Sequence, residues 1–141
     1  MAINHRVTRW FFALAVGLTL SWYSYHWVAD DAERRQQRGL EESIVLASRE
    51  ILHAYFADGG QLAISDALDR VREAGKVYIF PMESGWELSG QYRRDGERGW
   101  HAYLMLLDED ATLLHLSVRD NAPAVVARAA DDPRLEITAG R

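Results

Sequence analysis

The chain has 141 residues, 48% of them apolar, and no cysteine, which excludes disulfides, thiol catalysis and cysteine-ligated zinc sites. All 21 acidic residues but only 14 of the 16 basic residues lie beyond residue 29, so this part of the chain has a net charge of −7. Nucleic-acid binding requires clustered positive charge, and the composition therefore argues against a nucleic-acid partner.

Residues 10–28 read WFFALAVGLTLSWYSYHWV and contain no Asp, Glu, Lys or Arg. A helix rises about 1.5 Å per residue, so this stretch covers the roughly 30 Å hydrocarbon core of a bilayer. Aromatic residues lie at both ends, where amphipathic rings favour the headgroup layer. The pattern predicts a single N-terminal transmembrane helix with the lipid bilayer as a partner. A cleaved signal peptide is the alternative, although Trp27 is a poor substitute for the small residue of a cleavage site.

The two flanks of this span differ in composition. Residues 1–9 form a short tail, and residues 29–39 form a polar stalk that reads as a solvated helical extension without an apolar face. Basic residues are nearly balanced across the span, and the shortness of the tail favours a cytoplasmic N-terminus. We therefore expect the remaining domain, residues 40–141, to lie outside the cytoplasm.

Small residues recur along one side of the predicted span. Ala13, Gly17 and Ser21 stand at positions i, i+4 and i+8. Such spacing lets two membrane helices approach closely, because the short side chains leave room for the neighbouring backbone. The ridge predicts packing against a membrane protein partner or a second copy of the chain; a plain anchor is the alternative.

An amphipathic helix is predicted to open the domain. Its apolar stripe has helical spacing and consists of Leu40, Ile44, Ala47, Ile51 and Ala54, widened by Val45, Leu52 and Phe56. The stripe either packs on its own domain or pairs as a short coiled coil. After the break at residues 58–60, which read Asp-Gly-Gly, a second amphipathic helix is predicted over residues 61–74.

The period then changes to two, which indicates strands. Residues 77–80 form a short strand that ends at Pro81, and residues 86–93 form a strand with one buried face. Residues 100–107 and 112–119 form the clearest hairpin. A helix capped by Asp120 or Asn121, with Pro123 in its first turn, is predicted to end before Asp132. A last strand is predicted at residues 135–138. The predicted fold class is α+β, with amphipathic helices packed on an antiparallel sheet of about five strands.

Pairing Leu107 with Thr112 would sort the central hairpin into two faces, both largely apolar. One face, which includes Tyr103, Met105 and Leu114, is predicted to be covered by the helices. The other must meet a second layer, a ligand or another subunit. The predicted interface or ligand face consists of Trp100, Leu104, Leu106 and Leu113.

Candidate catalytic and metal-binding groups are few. His101 and His115 are predicted on opposite faces of the hairpin, which argues against a shared metal. The acidic run of residues 108–110 lacks the spacing of a calcium loop, and no nucleophile, phosphate-binding or dinucleotide-binding motif is present. We therefore expect no metal, no cofactor and no catalytic activity.

Residues 52–91 carry a resemblance to a known family. The stretch LHAYFADGGQLAISDALDR, the strand KVYIF and the strand WELSGQ resemble the extracytoplasmic PAS-like sensor region of bacterial membrane histidine kinases. The resemblance implies a PAS-like fold in a periplasmic domain at the bacterial inner membrane, and it does not extend to the kinase modules. It implies a sensor-like, regulatory or complex-associated accessory protein.

Two alternatives stand beside this interpretation. The stretch LLHLSVRDNAPAVVARAADDPRLEIT resembles a run of the flavin-binding split-barrel family related to pyridoxamine phosphate oxidase. That resemblance implies a small-molecule or flavin binder, with Arg119 and Asp120 near the phosphate. The third reading is a pilin-like structural subunit, although the chain lacks the Gly and Phe-Thr-Leu-x-Glu start of that class.

Overall fold

The computed structural model describes residues 5–69 and 75–138, with side chains described for residues 14–28, 31–69 and 75–138. The chain divides into two compact units, Met1–Leu40 and Glu41–Arg141. The fold is α+β, as predicted. In chain order its elements are α1 (His5–Phe56), β1 (Leu62–Ser65), β2 (Tyr78–Met82), β3 (Gly85–Arg94), β4 (His101–Leu107), β5 (Leu113–Val118), α2 (Pro123–Asp131) and β6 (Leu135–Ile137).

Helix α1 is unbroken over its 52 residues, and its first part contains the uncharged stretch of residues 10–28. All side chains of residues 14–28 are exposed, as are those of residues 31–40. Residues 29–39 are helical, as predicted for the polar stalk. Among the described residues, no helix reaches both the length and the apolarity of a membrane span.

The last part of α1 supplies the core of the second unit. The helix buries Val45, Ser48, Leu52 and Phe56, which recur at spacings of three and four residues and therefore share one face. Three of these, Val45, Leu52 and Phe56, are the residues predicted to widen the stripe. Of the stripe itself, Ile44 is buried, Ala47 and Ile51 are half-buried, and Leu40 and Ala54 are exposed.

The prediction of a second amphipathic helix over residues 61–74 is wrong in its first half. Leu62–Ser65 is strand β1, which pairs antiparallel with the end of β3, from Leu62 opposite Arg94 to Ser65 opposite Gln91. Strand β3 is ten residues long, and its edge extends past β2, so it offers unpaired backbone groups to this segment. Residues 70–74 of the predicted helix lie outside the described part of the chain.

Strand β2 extends further than predicted, because Pro81 lies within it rather than ending it. β1 and β2 occupy the same side of β3, opposite β4, so β2 is an edge strand. A proline is tolerated on an edge because it removes only an outward-facing N–H donor. Residues 83 and 84 then form the turn into β3.

The β4–β5 hairpin forms as predicted, with a different register. Met105 pairs with Leu116 and Leu104 with Ser117, which is a shift of two residues from the prediction. A shift of two keeps each side chain on its predicted face. A bulge between Leu106 and Leu107 then pairs Leu107 with Leu113 and leaves Leu114 as the extra residue.

The sheet is mixed and has six strands, because β6 runs parallel to β5. This corrects the expectation of an antiparallel sheet: α2 lies between β5 and β6 and carries the chain back across the sheet, as a parallel connection requires. The helix begins at Pro123, and the residue at its N-cap position is Ala122, not Asp120 or Asn121. Val125 of this helix joins the core.

Candidate functional site

The sheet has a core face and an outer face. The core face packs against α1 and α2: the Phe56 ring stacks on that of Tyr92, with centroids 4.5 Å apart, and Met105 and Leu116 are fully buried. The outer face consists of the alternate residues of the same strands: Tyr78, Phe80, Glu87, Ser89, Gln91, Arg93, Trp100, Ala102, Leu104, Leu106, His115, Ser117, Arg119 and Glu136. Among the described residues, none of these outer-face side chains belongs to the buried hydrophobic core or is one of the partly buried hydrophobics packed against it.

The outer face places large apolar side chains on a surface that also carries charges. Leu104 and Leu106 are half-buried at its centre, and Phe80 is 60% exposed at its edge. The guanidinium carbon of Arg93 lies 4.7 Å from the centre of the Trp100 ring, which is cation–π geometry. An amphipathic surface of this kind is typical of the part of a protein that contacts another molecule.

The structure brings together three of the four residues predicted for this face. Trp100, Leu104 and Leu106 lie on it, all half-buried. Leu113 does not, because the bulge turns its side chain into the core, where it is only 6% exposed. Its neighbour Leu114 is exposed instead, at 53%.

A groove of about 460 Å³ crosses the outer face beside Leu104. Its lining includes the hydroxyl-bearing Ser89, Ser117 and Thr138 and two cations, Lys76 and Arg119, but no acidic residue. In a domain with excess negative charge, such a lining makes this part of the outer face locally positive.

A buried ionic network joins β3 to the β5–α2 connection. Asp120 is 2% exposed, and its Oδ2 accepts hydrogen bonds from the Tyr92 hydroxyl and from Arg94 Nη1, both at 2.6 Å. Its Oδ1 accepts the Ala122 backbone N–H. Burial opposes ionisation of Asp120, but these donors outweigh it and lower the carboxyl pKa from 3.8 to about 2.

The same network extends to the loop before β4. Arg94 also contacts Glu97, with Nη2 2.8 Å from Oε1, and His101 Nε2 lies 3.0 Å from the other Glu97 oxygen. Burial and the hydrogen bond to Asp120 raise the pKa of the Tyr92 hydroxyl. Each charged group therefore has a partner within the chain, and the network serves to join elements.

A second ionic pair joins α1 to the segment after β1. Arg49 donates from Nε and Nη2 to the two Asp66 oxygens at 2.5 and 3.0 Å, which is bidentate geometry. Asp66 is 2% exposed, and its hydrogen bond raises the Arg49 pKa. Nearby, Tyr103 is buried, which raises the pKa of its hydroxyl. Among the described residues, this hydroxyl and that of Ser65 are buried without a hydrogen-bond partner.

The two histidines lie on opposite faces, as predicted. His101 lies on the core side opposite Tyr92, and His115 lies on the outer face with its Nε2 3.1 Å from Glu136 Oε2. At the acidic hairpin tip, Asp108 accepts the backbone N–H groups of residues 110 and 112, which is a turn hydrogen-bonded to itself. The part of the chain with described side chains contains no cluster of three metal-ligating residues.

The pairings of Asp66 and Asp120 were not anticipated from the sequence. Their partners, Arg49 and Arg94, lie 17 and 26 residues away. Asp120 stands before a proline-initiated helix, where a capping role is the ordinary interpretation. One local indication of these ion pairs was present in the sequence: Arg94 and Glu97 have opposite charges and stand three residues apart.

Comparison with known proteins gives no matching family model, no matching curated protein and no matching solved structure.

Proposed function

We propose that this chain is a membrane-anchored, non-enzymatic accessory protein, either sensor-like and regulatory or part of a larger complex. Its α+β domain acts outside the cytoplasm, in the periplasm of a bacterium, through contacts made by the outer face. The observation that carries the proposal is the outer face, which combines apolar and charged side chains and whose described residues do not belong to the buried core.

The first part of α1 supports the anchor. Its exposed side chains include Leu14 at 59%, Leu18 at 65% and Trp22 at 71%. Large apolar side chains exposed along a helix favour contact with lipid or protein, because burial removes their surface from water. The lipid bilayer is the covering medium that we propose.

The ionic networks support a role in contact. The buried carboxylates of Asp66 and Asp120 bind arginines of their own chain, at 2.5 and 2.6 Å. The donors around Asp120 lower its carboxyl pKa, so this group is poorly suited to accept and release a proton near neutral pH.

Fractionation and a topology reporter test the anchor. The full chain should sediment with membranes and resist extraction by alkaline carbonate. A reporter that is active only outside the cytoplasm, fused after Arg141, should be active. Activity of a cytoplasm-only reporter at that position would reverse the orientation, and a carbonate-soluble chain would remove the anchor from the proposal.

Purification of the full chain in detergent tests the mode of action. We expect a protein partner to be recovered in fixed stoichiometry, and a colourless preparation. A flavin absorption spectrum would support the small-molecule or flavin binder instead.

A third candidate is the pilin-like structural subunit. The exposed apolar residues in the first part of α1, among them Leu14 and Leu18, favour it. In a fibre, the first part would pack against the same helix of other copies. Electron microscopy of surface preparations distinguishes the two: filaments that contain the chain support the structural subunit.

A further inference from the structure

The outer face is arranged in four rows across the strands, as the strand pairing defines them. Row one joins Phe80, Glu87, Leu106 and His115, and row two joins Tyr78, Ser89, Leu104, Ser117 and Glu136. Row three contains Gln91 and Ala102, with Arg119 bonded through its N–H to the Ala102 carbonyl. Row four contains Arg93 and the stacked Trp100. The four rows follow one another along β3.

Charge is segregated along these rows. Both acidic residues, Glu87 and Glu136, lie in rows one and two, whereas Arg93 and Arg119 lie in rows three and four. Leu104 and Leu106 lie on β4, so their apolar side chains separate the outer-face residues of β3 from those of β5. Within the described residues, neither Arg93 nor Arg119 forms an ion pair with its own chain. The acidic residues of the strands thus lie towards one end of the face and the arginines towards the other, with Lys76 in the groove between them.

A surface with this charge order is complementary to itself. A two-fold axis that lies in the plane of the sheet, perpendicular to the strands, reverses the strand direction and superposes the acidic end of one face on the basic end of the other. An axis along the strands would bring like charges together instead, which costs free energy. The charge order therefore selects one symmetric arrangement.

We propose that the partner of the outer face is a second copy of the same face, docked sheet to sheet about this perpendicular axis. Glu87 then meets Arg93 of the partner subunit, because both residues lie on β3 at equal distances from Gly90. Leu106 meets Trp100 of the partner subunit along β4 by the same symmetry. This inference deepens the contact function proposed above and rests on that part of it alone, because the anchor is not needed.

The pairings are chemically reasonable at the spacing of packed sheets. Two sheets pack about 10 Å apart, which the long Glu and Arg side chains span from opposite sides. An arginine stacked on an aromatic ring keeps its N–H donors at the edge of the guanidinium free for a carboxylate. In the dimer, the groove beside Arg119 receives the Glu136 end of the partner, which supplies the negative charge that the groove lining lacks.

Charge reversal in the full chain, purified in detergent, tests the pairing of Glu87 with Arg93. Sedimentation equilibrium should show a monomer–dimer equilibrium for the natural chain. Each single variant, E87R and R93E, places like charges together and should raise the dimer Kd about tenfold or more. The double variant restores opposite charges at both symmetric contacts and should return to within about threefold of the natural Kd. Glu109→Arg, at the exposed hairpin tip, is the matched control and should leave the Kd unchanged.

A cysteine crosslink locates the contact independently. The chain has no cysteine, so Ser89→Cys introduces a single thiol at the centre of the outer face. A bismaleimide with a spacer of about 10 Å, the separation of packed sheets, should link two copies. Asn121→Cys, an exposed position away from the outer face, should not be linked.

Three results would overturn the proposal. These are a monomer at all concentrations, a double variant no tighter than the single variants, or a dimer that Gly17→Leu abolishes and the face variants leave intact. The last result would place the dimer contact in α1. Failure of the anchor would appear separately, in the carbonate extraction, because dimerisation is measured on the purified chain whether or not it binds membranes.

Discussion

The Tyr92 hydroxyl donates to Asp120 Oδ2 at 2.6 Å, across 28 residues of sequence. This hydrogen bond joins β3, at the centre of the sheet, to the segment that begins α2. The same carboxylate oxygen accepts a hydrogen bond from Arg94. Removal of the Asp120 carboxylate would therefore leave the buried Tyr92 hydroxyl and part of the Arg94 guanidinium without an acceptor. Asp120 therefore fixes the position of the β5–α2 connection.

Replacement of Asp120 should destabilise the domain. We expect Asp120→Ala to lower the free energy of unfolding by about 2–4 kcal/mol, because it leaves buried donors unpaired, and Tyr92→Phe by about 1 kcal/mol, because it removes one hydrogen bond. Urea unfolding monitored by tryptophan fluorescence measures both. Arg98→Ala, at an exposed position in the loop before β4, is the control. Equal stability of Asp120→Ala and the natural chain would contradict a structural role for the network.

The Asp120 carboxylate should also make stability depend on pH. Its pKa is lowered from 3.8 to about 2 in the folded chain, so between these values the unfolded chain binds more protons. The contribution of Asp120 is therefore fully present above pH 3.8 and is lost as the pH falls towards 2. Urea midpoints of the natural chain and of Asp120→Asn should differ at pH 6, and the difference should shrink as the pH falls from 3.8 through about 2. A difference that stays constant to pH 2 would contradict the assignment.

The two faces of the hairpin should respond differently to an introduced charge. Leu113 is a core residue, 6% exposed, and Leu113→Glu should lower the free energy of unfolding by about 3 kcal/mol or more. Leu104 is half-buried on the outer face, and Leu104→Glu should cost about 1 kcal/mol or less while weakening the contact with a partner. Thermal melting, together with partner recovery or sedimentation, separates these effects. A folded Leu104→Glu variant that keeps every partner would show that the outer face is not a contact surface.

Packing of the first part of α1 is testable at Gly17. A Cβ added there has no neighbour within 4 Å outside the local backbone of the helix, so Gly17→Leu should leave the chain itself undisturbed. If the ridge of Ala13, Gly17 and Ser21 contacts another helix, the variant should weaken that association by roughly 1–2 kcal/mol. The side chain of Ala13 lies outside the described part of the chain. Crosslinking in membranes measures the effect against Leu18→Ile as control, and an unchanged yield would indicate a plain anchor.

Much of the fold could be predicted from local pattern. The 3.6-residue period before residue 56 and the period of two after residue 77 indicate α1, β3, β4 and β5, because each period reports which side of an element is buried. Most side chains of the central hairpin were also assigned to the correct face despite the wrong register, since an error of two residues preserves the face. Leu113 and Leu114 are the exceptions, because the bulge exchanges their sides.

The sequence by itself therefore determined that the chain has an uncharged first stretch, an amphipathic helix and a hairpin with two apolar faces. Only the tertiary structure decided that residues 62–65 are a strand, because their hydrogen-bond partners lie on β3, about thirty residues away. It also decided that Leu113 joins the core through a bulge and that Arg49 and Arg94 bind buried carboxylates. Such contacts depend on the positions of distant backbone segments, and hydrophobic period carries no information about which segments meet.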